Sequence, residues 1–293
     1  MKIIVCAKRV GHAYHSSTVD LSTGHIDPGK MVFMLNPYDE IAVEEAIRIK
    51  EHISDCEIIL ITLGIFEAEE TLRYAFAMGG RRINRMIRIN YESFDPWETA
   101  LALSNVIKKI GFDIILCGEK AIDDNCSQVG TFVAELLNIP QVSGIVKLDI
   151  VPQGKKTLVE RYLGKGDREE MECCLPALFT VGKGLNDPRY PSLPNRILAE
   201  KMKIEEIDWI DLEFGSEEKA LTKVTKFFSP KPKTRKMFTP DSSLSALERL
   251  NLMMSGSSSK KEGSTVLEGS ANQLADHLVK FLVQNKFLSK EDK

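Results

Sequence analysis

The sequence predicts an α/β protein with a doubly wound, mostly parallel sheet, followed by an antiparallel extension and a C-terminal arm that ends in a helix. Over the first 140 residues, short runs rich in Ile and Val alternate with amphipathic helical patterns. This alternation is typical of parallel strands joined by right-handed helical crossovers. Beyond about residue 140 the helical patterns give way to shorter strand-like runs, and the best-patterned part of the chain stops near residue 200.

Four apolar runs are predicted to form parallel strands that are buried on both faces. These strands are 2–5, 57–63, 83–89 and 113–117. The helices that follow them are 37–51, 68–78, 95–110 and 128–137. Asn36 is predicted to cap the first helix, because Pro37 fits the first helical position and Asp39 lies in the first turn.

The segment after Pro140 is predicted to add antiparallel strands to the sheet. These strands are 142–151, 157–163 and 172–181. The next segment, 182–196, contains three prolines and two glycines, so it is predicted to lack regular structure. Its Tyr, Leu and Arg residues favour a binding role over that of an inert linker.

The chain is predicted to divide into an α/β domain at 1–205 and an extended arm at 206–293. The arm contains a basic stretch within 223–236 and a Ser/Gly/Lys linker at 255–261. It ends in a predicted amphipathic helix at 271–287. The apolar stripe of that helix consists of Leu274, Leu278, Phe281 and Leu282.

The composition excludes several functional classes. The 39 basic and 42 acidic residues give a net charge of −3, and general nucleic-acid binding needs a strongly basic surface. No apolar run reaches the roughly 18 residues of a membrane span, so direct membrane insertion is not expected. Because the first residues do not resemble a signal peptide, we expect a cytoplasmic protein with reduced cysteines.

Motifs for independent catalysis or metal binding are absent from the sequence. It contains no G-x-G-x-x-G after the first strand, no G-x-x-x-x-G-K-[ST] and no C-x-x-C. His12 and His15 lie in a predicted loop without further ligands nearby. We therefore predict no catalytic residue and no metal site.

Two segments follow predicted strands at the edge where open α/β sheets bind ligands. Segment 35–40 begins a helix, and segment 118–131 leads small and amide-bearing residues into a helix N-terminus that offers free N–H groups to an anion. The side-chain donors there are Ser127, Gln128 and Thr131. Asp123 and Asp124 suit a sugar hydroxyl, a cation or helix capping better than a bare phosphate. From the residues alone, a nucleotide site and a polar loop that caps its own helix are equal alternatives.

Six stretches spread along the chain carry a family resemblance. They are VCAKRV (5–10), NPYDEIAVEEAIRIKE (36–51), EETLRYAFAMG (69–79), AIDDNCSQVG (121–130), LPALFTV (175–181) and NDPRYPSLPN (186–195). In this order they resemble the small (beta) subunit of electron-transfer flavoproteins. The likeness covers about residues 1–205 and, weakly, the final helix.

The resemblance implies a heterodimer with an alpha subunit, which mainly holds a redox FAD that the two subunits share. It implies that this chain has an adenine-nucleotide-binding fold with a structural AMP and is an electron carrier, not an enzyme. The implied donors are acyl-CoA or other flavin dehydrogenases, and the implied acceptor is one such as a membrane quinone oxidoreductase. The arm at 206–293 would wrap the alpha subunit, which makes its basic stretch a solvated segment.

The resemblance also implies specific site residues. The nucleotide contacts would be Cys6, Asn36, Pro37, Tyr38, Asp39, Leu63, Asp123, Asp124, Asn125, Cys126, Ser127, Gln128, Val129, Gly130, Thr131, Phe132, Val133 and Ala134. A recognition loop at 184–199 would dock the dehydrogenase through Tyr190, Leu193 and Pro194, with Leu193 as the exposed anchor. Tyr14 is a candidate to approach the flavin.

Two alternatives remain open. Family members that bifurcate electrons and oxidise NADH carry a second FAD in place of AMP, and their loop typically reads Asp-Gly-Asp-Thr. Here residues 123–126 read Asp-Asp-Asn-Cys, which favours AMP, whereas the pair Tyr38 and Asp39 resembles the bifurcating members. The other alternative, a nucleotide-binding enzyme or sensor on the same fold, would need a glycine-rich phosphate loop or a catalytic base, and neither is evident.

Overall fold

The computed structural model describes residues 1–13, 20, 28–93, 95–151, 156–208, 225, 244–254, 269–285 and 287. The chain divides into two compact units, Met1–Ser229 and Pro230–Lys293. Several predictions fall outside the described residues. They concern Tyr14, His15, the linker at 255–261 and all of the basic stretch at 223–236 except residue 225.

The first unit contains eleven strands and five α-helices among its described residues. The strands are β1 (Lys2–Cys6), β2 (Arg9–Ala13), β3 (Met31–Leu35), β4 (Glu57–Leu63), β5 (Arg85–Asn90), β6 (Ile114–Gly118), β7 (Gln141–Ile150), β8 (Lys156–Gly164), β9 (Asp167–Cys174), β10 (Ala177–Val181) and β11 (Glu205–Asp208). The helices are α1 (Pro37–His52), α2 (Glu69–Gly79), α3 (Pro96–Ile110), α4 (Val129–Leu137) and α5 (Leu193–Lys201).

Nine of these strands form one sheet in the order β11-β5-β4-β1-β6-β10-β7-β8-β9. Neighbouring strands from β11 to β7 run parallel, and β7, β8 and β9 form an antiparallel extension. Helices α1, α2 and α5 contribute to the core on one face, and α3 and α4 to the core on the other. The predicted fold class, a doubly wound and mostly parallel sheet, is confirmed.

The sheet changes its direction of growth between β1 and β6. From β1 the chain adds β4 and then β5 on one side, and α3 then crosses back to place β6 on the other side of β1. The central strands are buried on both faces, as the apolar runs predict, with Ile3, Ile4 and Val5 fully buried. A crevice at the carboxyl ends of β1 and β6 is therefore where a ligand is expected in such a fold.

The predicted strand 172–181 is wrong, because this segment forms two strands. β9 ends at Cys174, and β10 begins at Ala177 and runs parallel between β6 and β7. Pro176 separates the two strands, since proline has no N–H group to continue a ladder. All five residues of β10 are buried, which suits a central strand and not an edge extension.

The segment 182–196 was predicted to be irregular, but α5 begins inside it. The Ser192 hydroxyl accepts a hydrogen bond from the Asn195 backbone N–H (3.4 Å). Pro194 lies in the first turn, where a missing N–H costs nothing. His12 was predicted to lie in a loop, but it lies on β2, which pairs antiparallel with β3.

The second unit contains two described helices, α6 (Ala246–Met254) and α7 (Ala271–Gln284). Ser270 and Gln273 form a capping box at the start of α7. The predicted apolar stripe is largely uncovered, because Leu278 and Phe281 are each 57% exposed. Among the described residues, no helix has the length and apolar character needed to cross a membrane.

Candidate functional site

The carboxyl edge of the sheet brings together most of the predicted nucleotide contacts. Cys6 ends β1, Leu63 ends β4, and the loop at 119–128 joins β6 to α4. Cys6 and Leu63 are half-buried, and residues 122–128 are exposed. The edge therefore combines a partly apolar floor with an exposed polar loop.

Asn36 fixes the loop that follows β6. As predicted, it occupies the N-cap position of α1, and its backbone carbonyl oxygen accepts hydrogen bonds from the Asp39 and Glu40 N–H groups, but its side chain makes no capping hydrogen bond. Instead, the Asn36 Nδ2 group donates to the Lys120 carbonyl oxygen (2.9 Å), and its Oδ1 atom accepts from the Ile122 N–H (3.3 Å). Pro37 favours the start of α1 without a side-chain cap, because the φ angle of proline is already helical.

Asp39 joins the same helix to two strands. Its Oδ2 atom accepts a hydrogen bond from the Lys8 backbone N–H (2.8 Å), and its Oδ1 atom accepts one from the Gly118 N–H (2.9 Å). Burial raises the pKa of Asp39 to about 7, and hydrogen bonds from Lys8, Asn36 and Gly118 limit the rise. The side chain therefore braces the ends of β1 and β6 against α1.

Gly118 permits this close approach. A Cβ atom at Gly118 would lie 2.4 Å from Asp39 Oδ1 and 2.7 Å from Tyr38 Cβ. No side chain fits there without displacing the start of α1. Gly118 was not among the predicted contacts, although a glycine directly after a buried strand signals a close backbone approach.

Lys8 changes the charge of the predicted loop. Its ammonium group lies 2.9 Å from Asp123 Oδ1 and 2.8 Å from Asp124 Oδ2. Burial lowers the pKa of Lys8, but the hydrogen bonds to Asp124 and Asp123 outweigh this effect, so the pKa of Lys8 is raised. The two carboxylates therefore repel an anion less than the sequence indicates. Lys8 was missed among the site residues, although it lies in the VCAKRV stretch.

The start of α4 is the strongest anion-binding feature of the edge. Gln128 occupies the N-cap position, but its side chain makes no capping hydrogen bond. The first N–H groups of a helix have no partner within the helix, and they lie at the positive end of its dipole. Ser127 and Thr131 are exposed beside them. A phosphate group fits this arrangement.

The remaining predicted contacts divide between surface and core. Val133 and Ala134 are buried in the core beneath α4, and the Phe132 ring packs edge-on against Trp97 at 5.5 Å between centroids. Gly130 lies so close to β10 that a Cβ atom would be 2.8 Å from Thr180 Cγ2. These residues therefore hold α4 on the sheet.

Tyr38 and the exposed loop residues complete the edge. Tyr38 is 7% exposed, and the ammonium groups of Lys120 and Lys183 each lie 5.7 Å from its ring centroid. Asn125 and Ser127 adopt left-handed backbone conformations, with φ angles of 54° and 56°. The exposed Cys126 donates its backbone N–H to Asp124.

The predicted docking residues form an exposed apolar surface at the start of α5. Tyr190 is 92% exposed, Leu193 is 70% exposed and Ile197 is 53% exposed. Pro194 is also exposed. Leu193 and Ile197 are four residues apart on the helix, so they lie on the same side of it. Ile197 was not predicted, because the segment was not expected to be helical.

Polar contacts fasten this surface to the rest of the unit. The Arg189 guanidinium donates to the buried Glu44 carboxylate (2.8 and 2.9 Å) and to Glu51 (2.8 and 3.1 Å). Asn186 donates to Glu45 (2.9 Å). At the other end of α5, Arg73 donates to the Ala199 carbonyl oxygen (2.5 Å). The apolar surface is thus presented on a fixed support.

Comparisons with known proteins agree with this architecture. A family model described as "Electron transfer flavoprotein domain" matches residues 29–212, more than half of the chain. The chain is 36% identical to the Bacillus subtilis electron transfer flavoprotein subunit beta over 261 residues, which are 87% of this chain and 98% of the relative. It is 36% identical to the human electron transfer flavoprotein subunit beta over 218 residues, which are 72% of this chain and 83% of the relative. The chain therefore belongs to the electron transfer flavoprotein family and falls among its beta subunits.

Proposed function

We propose that the chain is the beta subunit of a heterodimeric electron carrier in the cytoplasm, paired with an alpha subunit that mainly holds a shared FAD. Membership of the family supports the pairing and the flavin. When bound, FAD supplies the redox chemistry. The residues of this chain would bind a nucleotide and position the partner.

We propose that the carboxyl edge of the sheet holds AMP. The uncapped start of α4, with Ser127 and Thr131 beside it, would hold the phosphate. Lys8 partly neutralises Asp123 and Asp124, which leaves their other lone pairs suited to ribose hydroxyls. A nucleotide held there would stiffen the exposed loop at 122–128.

The bifurcating alternative, with a second FAD in place of AMP and oxidation of NADH, rests on the pair Tyr38 and Asp39. In the structure, both Asp39 oxygens already accept backbone N–H groups, and Tyr38 is buried. These two residues therefore brace the fold and give little independent support to a second flavin. The enzyme or sensor alternative gains no catalytic base from Asp39, because both of its carboxylate oxygens are occupied in this way.

The observation that best supports the proposed electron transfer is the exposed Leu193 side chain, which lies at the start of a helix that polar contacts fasten to the rest of the unit. A carrier must bind and release its donor quickly, so a small interface with one apolar anchor suits it. Because the support is rigid, little conformational entropy is lost on docking. We propose that Leu193, Tyr190 and Pro194 dock acyl-CoA or other flavin dehydrogenases. The electrons would then pass to an acceptor such as a membrane quinone oxidoreductase.

The Leu193→Ala substitution tests this proposal in the assembled heterodimer. Removing an interface anchor typically costs 1–2 kcal/mol of binding, so we expect kcat/KM for reduction by an acyl-CoA dehydrogenase to fall about 5- to 30-fold. Flavin content and the unfolding midpoint should not change. Leu158→Ala is the matched control, because Leu158 is an exposed leucine on β8 (39%) away from α5. Equal rates for the wild type and the Leu193 variant would refute the docking role.

A further inference from the structure

A groove of about 570 Å³ opens beside the docking surface. One wall is the end of α2 and the single 3-10 turn that follows it, and the other is the first two turns of α5. Pro194, Asn195 and Leu198 line the α5 side. Since Pro194 directly follows Leu193, a protein docked on Leu193 would also cover this groove.

The opposite wall of the groove is basic. Arg81 and Arg82 lie in the 3-10 turn Gly80–Arg82, and both are exposed. Arg82 forms an ion pair with Glu51 (3.1 Å), and its carbonyl oxygen accepts a hydrogen bond from the Lys50 ammonium (2.7 Å). Across the described ranges, Arg81 has no carboxylate within ion-pair distance. Its charge is therefore available to a partner.

The two walls of the groove pack directly against each other at Gly80 and Asn195. Gly80 adopts a φ angle of +58°, and a Cβ atom there would lie 2.5 Å from Asn195 Oδ1. The turn that carries Arg81 thus packs directly against the first turn of α5. A charged group and the Leu193 anchor are presented together with little freedom between them.

We propose that this basic groove receives an acidic side chain of the flavin dehydrogenase that docks on Leu193. The inference rests on the proposed docking function and adds the chemistry of the partner surface. A guanidinium group such as that of Arg81 can bind a carboxylate through two parallel hydrogen bonds. Pro194 and Leu198 offer apolar contact to the methylene groups of a glutamate. Charge complementarity of this kind raises the association rate and discriminates between partners.

The test is the Arg81→Glu substitution in the purified heterodimer, with an acyl-CoA dehydrogenase as the electron donor. At low ionic strength, kcat/KM for reduction should fall roughly three- to tenfold, and the loss should shrink in concentrated salt because salt screens exposed charges. Lys108→Glu is the matched control. It changes the net charge equally on α3, which packs on the opposite face of the sheet.

The outcomes separate this inference from the docking proposal. A salt-dependent loss of kcat/KM for Arg81→Glu that Lys108→Glu does not show would support the proposed role of the groove. If Leu193→Ala slows reduction but the Arg81 and Lys108 variants behave alike, the groove is refuted and the docking surface stands. If Leu193→Ala has no effect either, both proposals fall. Unchanged circular dichroism and flavin content in each variant show that the fold is intact.

Discussion

Asp39 shows how one buried carboxylate can support the nucleotide edge. Its folded-state pKa of about 7 lies above the ordinary value of 3.8. Between these two values the folded chain holds a proton that the unfolded chain releases. The resulting contribution to stability is full below about pH 4 and is lost as the pH rises through 7.

Replacing Asp39 with Asn tests this assignment. The amide can accept only one of the two backbone N–H groups, so we expect a loss of about 1–3 kcal/mol in the free energy of unfolding at pH 5. The difference from the wild type should narrow towards pH 8, because only the wild type loses its protonated carboxyl over that interval. Urea unfolding at both pH values measures this difference in the free energy of unfolding. A difference that is constant from pH 5 to pH 8 would contradict the raised pKa of Asp39.

Some of the site residues could be predicted from local sequence, and others could not. The small and amide-bearing residues before α4 indicate an anion-binding helix start, because that signal depends on neighbouring positions only. The ion pairs of Lys8 with Asp123 and Asp124 join residues more than 100 positions apart. The side-chain partners of Asn36 could not be predicted for the same reason, since they lie in the loop after β6.

The position of α5 depends on Gly80. An Ala there would be strained by the positive φ angle and would also collide with Asn195. Gly111, at the end of α3, shares the positive φ angle (+76°), but a Cβ atom there would meet nothing within 4 Å. The two glycines therefore separate backbone strain from the packing of α5.

We expect Gly80→Ala to destabilise the chain more than Gly111→Ala does. Backbone strain should cost each variant about 1–3 kcal/mol, because both glycines combine a positive φ with an extended ψ (−131° and 154°). The collision should add about 1–3 kcal/mol to the Gly80 variant alone. Thermal or urea unfolding of both variants measures the difference. Adding Asn195→Ala should remove the excess, since it removes the colliding atoms. Equal costs for the two glycine variants would show that Gly80 does not position α5.

Strands and helices were predictable where their patterns are local and strongly apolar. β4 has the predicted bounds, and α1 differs by one residue at its end. β11 was missed because it is short and charged, and because it is held by remote ion pairs between Arg85 and Glu205 (2.7 Å) and between Arg88 and Glu206 (2.7 Å). The insertion of β10 between β6 and β7 is equally non-local, so an apolar run alone could not reveal it.

Within the first unit, α1 links the two proposed sites. Its first turn holds the nucleotide edge through Asn36 and Asp39, and Glu44 and Glu45 hold the segment before α5 through Arg189 and Asn186. A helix of 16 residues spans about 24 Å. The proposed nucleotide edge and the support of the docking surface therefore share one helix.

The second unit has its own part in the proposed assembly. The apolar stripe of α7 is largely exposed, and an exposed stripe of this kind is typical of a helix that packs on another protein. We propose that this unit belongs to the arm that wraps the alpha subunit. The near-neutral net charge of −3 suits a chain that another protein covers in part.

The ligands released when the purified heterodimer is denatured test whether the chain is an AMP-binding electron-carrier subunit. We expect the chain to copurify with an alpha subunit and each heterodimer to release one FAD and one AMP. Chromatography of the released nucleotides, with the flavin absorbance as a second measure, gives the stoichiometry. Two FAD per heterodimer would contradict the AMP assignment and favour the bifurcating alternative. The absence of both an alpha subunit and an adenine nucleotide would contradict the proposed carrier role altogether.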